Sequence, residues 1–278
     1  MIKAFNYFGS KHMQVKNILP YLEIEHKKYV EVFGGSAMVL LNKKISKIEI
    51  YNDIYSEVVN FFRVIRNEAK LRKLQNFINN TPVSREEFHK FKNTLENTSV
   101  DWKRAAKFYY VSGLSFVSNM RTFMAEKTSL GRLKNVSDNL DKVRDRFRKV
   151  LIENWNWKEI FKLYDSEETL FYLDPPYMRE VRTEDPRGYK NDMENEDHEL
   201  LIEKILLLRG KVILSGYQSD LYDTLLEYGY IRREFYNPHT SRLFSKKKDR
   251  NIKEQQAECL YLSPHFKDFE KRRNIFFK

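Results

Sequence analysis

A single cysteine, Cys259, stands among 278 residues. One thiol cannot close an intrachain disulfide, so the chain reads as one that works in a reducing compartment. Cys259 lies in the apolar stretch Ala257 to Leu262 and reads as a packed strand residue without chemistry. Histidine is sparse too: six, scattered along the chain, offer with the lone cysteine no ligand cluster, so no metal is expected. Long apolar runs are missing. The opening Met1-Ile2-Lys3-Ala4-Phe5-Asn6 leads into polar residues without the apolar centre of a secretory leader. The most apolar stretch, Leu200 to Leu208, contains Glu203 and Lys204 and is too short to span a bilayer. A soluble intracellular protein is the expectation. There is also no G-x-G-x-x-G, no Gly-Lys-Ser/Thr of a phosphate-binding loop, no internal repeat and no low-complexity tract.

What is present is basic and aromatic. The net charge is +11, with a pI near 9.4. That excess calls for a polyanionic partner or marks a solvated basic surface. Apolar residues at 41%, with 20 Phe, 17 Tyr and 3 Trp, suffice for one large domain or a domain with a sizeable insertion.

Strand and helix patterns alternate at both ends of the chain. Tyr29 to Phe33 predicts a strand, Ser36 to Lys44 a helix, Lys47 to Tyr51 a strand, and a helix follows from about Ile54. After residue 150 come a strand at Val150 to Ile152, a helix near Trp157 to Tyr164 and a strand at Thr169 to Leu173. A helix from Asp197 to Leu208, the strand Lys211 to Ser215 and a helix from Ser219 to Tyr228 continue the pattern. Strands at Ile231 to Tyr236 and Ala257 to Leu262 flank a long basic loop. This alternation argues for an α/β fold on a mostly parallel sheet. Between about 59 and 149 strands vanish and charged amphipathic helices take over, at Ser84 to Leu95, Asp101 to Val117 and Ser137 to Lys149. Ser84 followed by Glu87 is a capping-box signature. The expected organisation is therefore a domain made of 1–58 and 150–278, carrying a helical insertion at 59–149.

The most informative residues are Asp174-Pro175-Pro176-Tyr177, directly after the apolar strand Thr169 to Leu173. Methylation of an exocyclic base amine needs a weak nucleophile held, stripped of water and aimed. The Asp174 carboxylate can accept one hydrogen bond from the amine and the Pro175 carbonyl another. Two prolines fix φ, and Tyr177 offers a ring on which an extruded base can stack. The same four residues could also form an ordinary strand-end turn.

Phe33-Gly34-Gly35-Ser36 lies between a strand and a helix, where glycine lets backbone approach a ligand closely. Asp53 ends the next strand, placed either to take both hydroxyls of a ribose or to cap the following helix.

Taken together, these motifs resemble the Dam-like (D12 class) site-specific DNA adenine-N6 methyltransferases. Tyr7-Phe8-Gly9-Ser10-Lys11 is similar to the N-terminal segment with which that family holds S-adenosylmethionine. Tyr29 to Asn42, with Glu31, Phe33, Gly35 and Ser36, is similar to its cofactor-binding strand, loop and helix. Asp53 falls at the position of the ribose-binding acid, and Asn156-Trp157 at that of a pair contacting the cofactor adenine. Arg85 to Phe88 resembles the opening of the family's target-recognition domain, in which Asn119 and Arg121 stand near DNA. One departure is Ala37 at the place of the second loop glycine.

The resemblance implies a Rossmann-like methyltransferase sheet with a helical target-recognition insertion. It also implies S-adenosylmethionine as methyl donor, no metal, and transfer to N6 of adenine in flipped-out double-stranded DNA. Asp174, Pro175, Pro176 and Tyr177 become the catalytic set, and Asp174 borders the cofactor. Lys11 is either near the cofactor carboxylate or Asp174, or one more surface lysine. The basic run Arg242, Lys246, Lys247 and Lys248 is either a phosphate clamp or a solvated loop. A bacterial or phage origin and a companion restriction endonuclease would fit such an enzyme. The competing readings are a methyltransferase acting on N4 of cytosine or on RNA, and a catalytically inactive DNA-binding protein.

Overall fold

The computed structural model describes residues 1–7, 9–115, 120–124, 128–177, 193–235 and 258–276. Its strands are β1 (Lys28–Glu31), β2 (Ile48–Asn52), β3 (Leu151–Glu153), β4 (Thr169–Leu173), β5 (Lys211–Tyr217), β6 (Ile231–Phe235) and β7 (Glu258–Leu262). Its helices are α1 (Val15–Ile18), α2 (Met38–Asn42), α3 (Ser56–Arg66), α4 (Glu68–Asn80), α5 (Arg85–Thr94) and α6 (Asp101–Leu114). Beyond them follow α7 (Thr128–Phe147), α8 (Trp157–Tyr164), α9 (Asn195–Leu206), α10 (Asp220–Asp223) and α11 (Phe266–Phe276). The chain divides into two compact units. Met1–His12, Gly34–Lys43 and Ile48–Asn156 form the first, and Met13–Phe33, Lys44–Lys47 and Trp157–Lys278 the second.

In the second unit β1, β4 and β5 are parallel: Lys28 to Glu31 face Thr169 to Tyr172, and Leu170 to Leu173 face Lys211 to Leu214. All five β4 residues are buried, which explains why this segment reads as a continuous apolar run. β7 pairs antiparallel with β5, and β6 antiparallel with β7, giving the order β1-β4-β5-β7-β6. Parallel strands separated by helices, closed by an antiparallel pair, are the α/β arrangement expected from the alternation. At the start of α9, Glu194 and Asp197 form a capping box, exchanging side-chain and backbone hydrogen bonds across the first turn.

In the first unit β2 and β3 pair in parallel, Ile50 to Asn52 against Leu151 to Glu153, and α3 to α7 occupy the sequence between them. Local chemistry starts the helices. The Asn67 side chain accepts the Lys70 N–H at 3.1 Å before α4, and the Ser84 hydroxyl accepts the Glu87 N–H at 3.0 Å before α5. Aromatic rings fill the interior. Phe5 meets Phe61 edge-on at 4.9 Å and Phe108 at 5.2 Å, while Phe62 stacks on Phe147 at 4.2 Å. A buried ion cluster fastens α7 to β2: Glu49 accepts from Lys43 at 2.6 Å and from Arg146 at 2.8 Å. Burial pushes the Glu49 carboxyl up, but Arg146 and Lys43 outweigh it and leave it below the ordinary carboxylate range.

Several boundaries differ from the sequence expectation. α2 begins at Met38, because Gly35 and Ala37 hold positive φ of 47° and 55° ahead of it. α6 ends at Leu114, where Ser115 turns extended, and α7 starts at Thr128. The expected helix from Ser219 is four residues of α-helix and then a 3-10 turn, Thr224–Tyr228, closed by left-handed Gly229. α11 follows the last strand and had no counterpart in the sequence expectation.

Candidate active site

The first unit contains the glycine loop and its supports. β2 delivers Tyr51, Asn52 and Asp53 to the loop in consecutive positions. The Tyr51 hydroxyl donates to the Gly35 carbonyl at 2.7 Å, Asn52 O accepts the Gly34 N–H at 2.8 Å, and Asp53 Oδ2 accepts the Gly35 N–H at 2.7 Å. A side chain at Gly35 would stand 3.1 Å from the Tyr7 ring and would need φ of +47°, so glycine is favoured there on both counts. Ser36 is buried, its hydroxyl donating to Ser10 at 3.1 Å. Lys11 is 4% exposed, which removes the reading of it as a surface lysine.

Asp53 does more than the alternative of ribose ligand or helix cap allowed. Its Oδ1 accepts the Tyr55 N–H at 2.7 Å just before α3, while Oδ2 holds the loop. An ionised carboxylate has about four acceptor sites, so two remain for a pair of hydroxyls. Burial pushes its pKa up to about 6, against the lowering effect of the Tyr55 and Gly35 amides. A tight glycine turn beside a buried carboxylate with spare acceptor capacity suits an aminoacyl nucleoside cofactor. From the far side, Asn52 exchanges hydrogen bonds with the Trp155 backbone at 3.0 and 2.9 Å, and Asn154 donates to the Asp53 carbonyl at 2.8 Å. Asn156 is exposed immediately beyond.

The second unit contains the Asp-Pro-Pro-Tyr edge. Glu31 and Tyr172 are register partners, so the chain leaving β4 through Asp174 runs beside the end of β1. Glu31 is buried and accepts from the Tyr29 hydroxyl at 2.6 Å; Phe33, two residues on, is half-buried. Asp174, Pro176 and Tyr177 are partly exposed and Pro175 is buried. The Tyr177 ring lies 4.4 Å from that of Tyr217, at the end of β5, with 46° between planes. Behind this edge the buried His198 Nδ1 lies 2.8 Å from the Tyr222 hydroxyl. Burial raises the Tyr222 phenol, and the Asp174 charge adds to that shift. Trp157 is 5% exposed and packs edge-on against Phe161 at 5.4 Å.

Of the residues expected near DNA, Arg121 is exposed on a turn after α6. Asn119, Arg242, Lys246, Lys247 and Lys248 lie outside the described residues.

Tyr51, Asn52, Asn154, Tyr217 and Tyr222 were missed by sequence reasoning. Each acts through a partner distant in sequence. For Tyr51, Asn52, Asn154 and Tyr217 the signal available was their position at a strand end or in the loop just beyond, where side chains of an α/β sheet converge on ligands; Tyr222, inside α10, carried no such signal.

Comparison with known proteins agrees with this geometry. Residues 7–234 match the family model of the D12 class N6 adenine-specific DNA methyltransferases. The type II methyltransferase M.CviBI of Paramecium bursaria Chlorella virus NC1A is 23% identical over 248 residues, covering 85% of this chain and 90% of the viral protein. The modification methylase LlaI of Lactococcus lactis subsp. lactis is 22% identical over 182 residues, 62% of this chain but 29% of that longer protein. A solved structure from Clostridium thermocellum, described as a candidate rRNA methylase, aligns at TM-score 0.40 and 8% identity over 90% of this chain and 96% of that one, too remote to bear on fold or activity. With the family model spanning the glycine loop, Asp53 and the Asp-Pro-Pro-Tyr edge, the chain belongs to the D12 class N6 adenine-specific DNA methyltransferases, which take S-adenosylmethionine as methyl donor.

Proposed function

We propose that the chain methylates one particular sequence in double-stranded DNA, turning the target adenine out of the stack. The observation that carries this reading is Asp174-Pro175-Pro176-Tyr177 at the exit of a fully buried parallel strand, with Tyr177 set against Tyr217. Asp174 and the Pro175 carbonyl accept the two N–H bonds of the adenine amine. That fixes the nitrogen and directs its lone pair outward. Tyr177 stacks on the extruded base, and Pro175 and Pro176 hold the geometry without a backbone donor competing for the amine. When bound, S-adenosylmethionine supplies an electrophilic methyl on a sulfonium, which leaves as a neutral thioether without acid catalysis. The residues that would hold it are Tyr7, Lys11, Glu31, Phe33, Gly35, Ser36, Asp53, Asn156, Trp157 and Asp174, with Asp53 on the ribose.

In this reading 1–58 and 150–278 form the catalytic domain and 59–149 the target-recognition domain. Arg121 and Asn119 read bases there, and Arg242 with Lys246 to Lys248 hold phosphates. Lys and Arg outnumber Asp and Glu by 50 to 39, which suits that partner. Two similar proteins are named as a type II methyltransferase and a modification methylase, names that support a companion restriction endonuclease as part of this reading. The test is methyl transfer from labelled S-adenosylmethionine to plasmid DNA, with modified bases then read by sequencing. N6-methyladenine at one recurring sequence supports the proposal; methylcytosine, methylated RNA or no transfer overturns it.

A further inference from the structure

We propose that α5 is the support of the turn that carries Arg121, and that Lys92 and Phe123 are positioning residues for sequence discrimination; this rests on the DNA reading above. The turn is closed at its base by an antiparallel bridge between Ser115 and Phe123 and by the Met124 N–H donating to the Leu114 carbonyl at 2.8 Å. It is then fastened sideways to α5 at three points. The Phe123 ring meets Phe88 at 5.5 Å, and the Arg85 guanidinium lies 5.1 Å over the same ring. One helical turn beyond Phe88, the Lys92 ammonium donates to the carbonyl of Arg121 itself at 3.2 Å.

The backbone shows what this fastening maintains. Met120, the residue before Arg121, has φ of 57°, a left-handed conformation that a non-glycine residue keeps only where its surroundings over-determine it. The side chains of Arg121 and Thr122 are exposed at this turn, while Phe123 and Met124 face inward. A guanidinium reads a base edge only if its Cα is fixed, because its own chain has many rotamers to lose. Lys92 fixes that Cα. On the same helix Lys90 is paired with Glu87 at 3.1 Å, whereas Lys92 is directed at the recognition turn.

The test uses the full chain, S-adenosylmethionine and a pool of randomised duplex DNA, with methylated positions read by sequencing. The quantity read is the ratio of methylation rates on the best sequence and its single mismatches. Lys92→Met should lower this ratio about tenfold at one base pair, the scale of a lost bidentate base contact, without moving the KM for S-adenosylmethionine. Lys92→Arg, which keeps a donor, should retain the ratio. Phe123→Leu should relax the same base pair, and because Lys92→Met is a surface change it remains readable if the Phe123 variant does not fold. A Lys92→Met enzyme that loses rate equally on all sequences, with a flatter salt dependence, would make Lys92 a phosphate contact and overturn the inference. An unchanged ratio would overturn it as well. If the unaltered enzyme methylates nothing in the pool, the DNA reading fails first and this one with it.

Discussion

The ring of Tyr51 lies across Gly34: a methyl group at Gly34 would stand 2.1 Å from Tyr51 Cε2. The hydroxyl of the same ring donates to the Gly35 carbonyl at 2.7 Å, so one side chain both covers and holds the glycine loop. Gly34→Ala should therefore displace the loop. The expected cost is about 1–3 kcal/mol of stability, as for other overpacked sites, together with weaker cofactor binding. Thermal unfolding and calorimetric titration of S-adenosylmethionine check both; an unchanged melting temperature would show that Tyr51 can move aside.

Ala37 should respond in the opposite sense. It takes the place of a family glycine yet holds φ of 55° and ψ of 32°, a conformation costing an L-residue roughly 1–2 kcal/mol. Ala37→Gly should leave stability unchanged or raise it by up to about 1 kcal/mol, although glycine ordinarily costs that much near a helix. A chemical denaturation midpoint clearly below that of the unaltered protein would contradict the strain account.

With Asp53 on the ribose, as proposed, cofactor binding is coupled to pH. Its pKa is pushed up to about 6, chiefly by burial, and its ionised form is the one with acceptors to spare. Protonation takes up one acceptor site and removes the charge that strengthens the others, so affinity for S-adenosylmethionine should be level above pH 7 and fall as pH drops through 6. Asp53→Asn should lose that pH dependence and weaken binding by roughly 1.5–3 kcal/mol, the worth of hydrogen bonds to a charged group. Titration calorimetry between pH 5 and 8 decides it. Full affinity in Asp53→Asn at pH 7.5 would leave Asp53 with only its loop-holding and pre-helix roles.

Much of this was legible before any coordinates. β4 and α8 have the bounds that their apolar periodicity indicated, Thr169–Leu173 and Trp157–Tyr164, because both are set by burial on local patterns. The glycine loop, Asp53 and the tetrapeptide stood out because their residue types are unusual at strand ends. What stayed hidden depends on pairing across long sequence distances. β5 runs on to Tyr217 because β7 pairs with it as far as Glu258, and that extension sets Tyr217 beside Tyr177. Likewise the double use of the Asp53 carboxylate appears only once residue 35 is folded against residue 53. The kink before α2 was masked by Ala37, a good helix former held in a left-handed turn.

The most direct test of the central claim is Asp174→Ala, assayed for methyl transfer to duplex DNA beside separate measurements of DNA and S-adenosylmethionine binding. The substitution removes the carboxylate assigned to orient the amine and leaves Asp53 and the proposed phosphate contacts in place. Methyl transfer should be lost, with DNA still bound and the protein still folded. Turnover by the purified variant at the rate of the unaltered enzyme would contradict the role assigned to Asp174 and, with it, the account of this edge as the catalytic one.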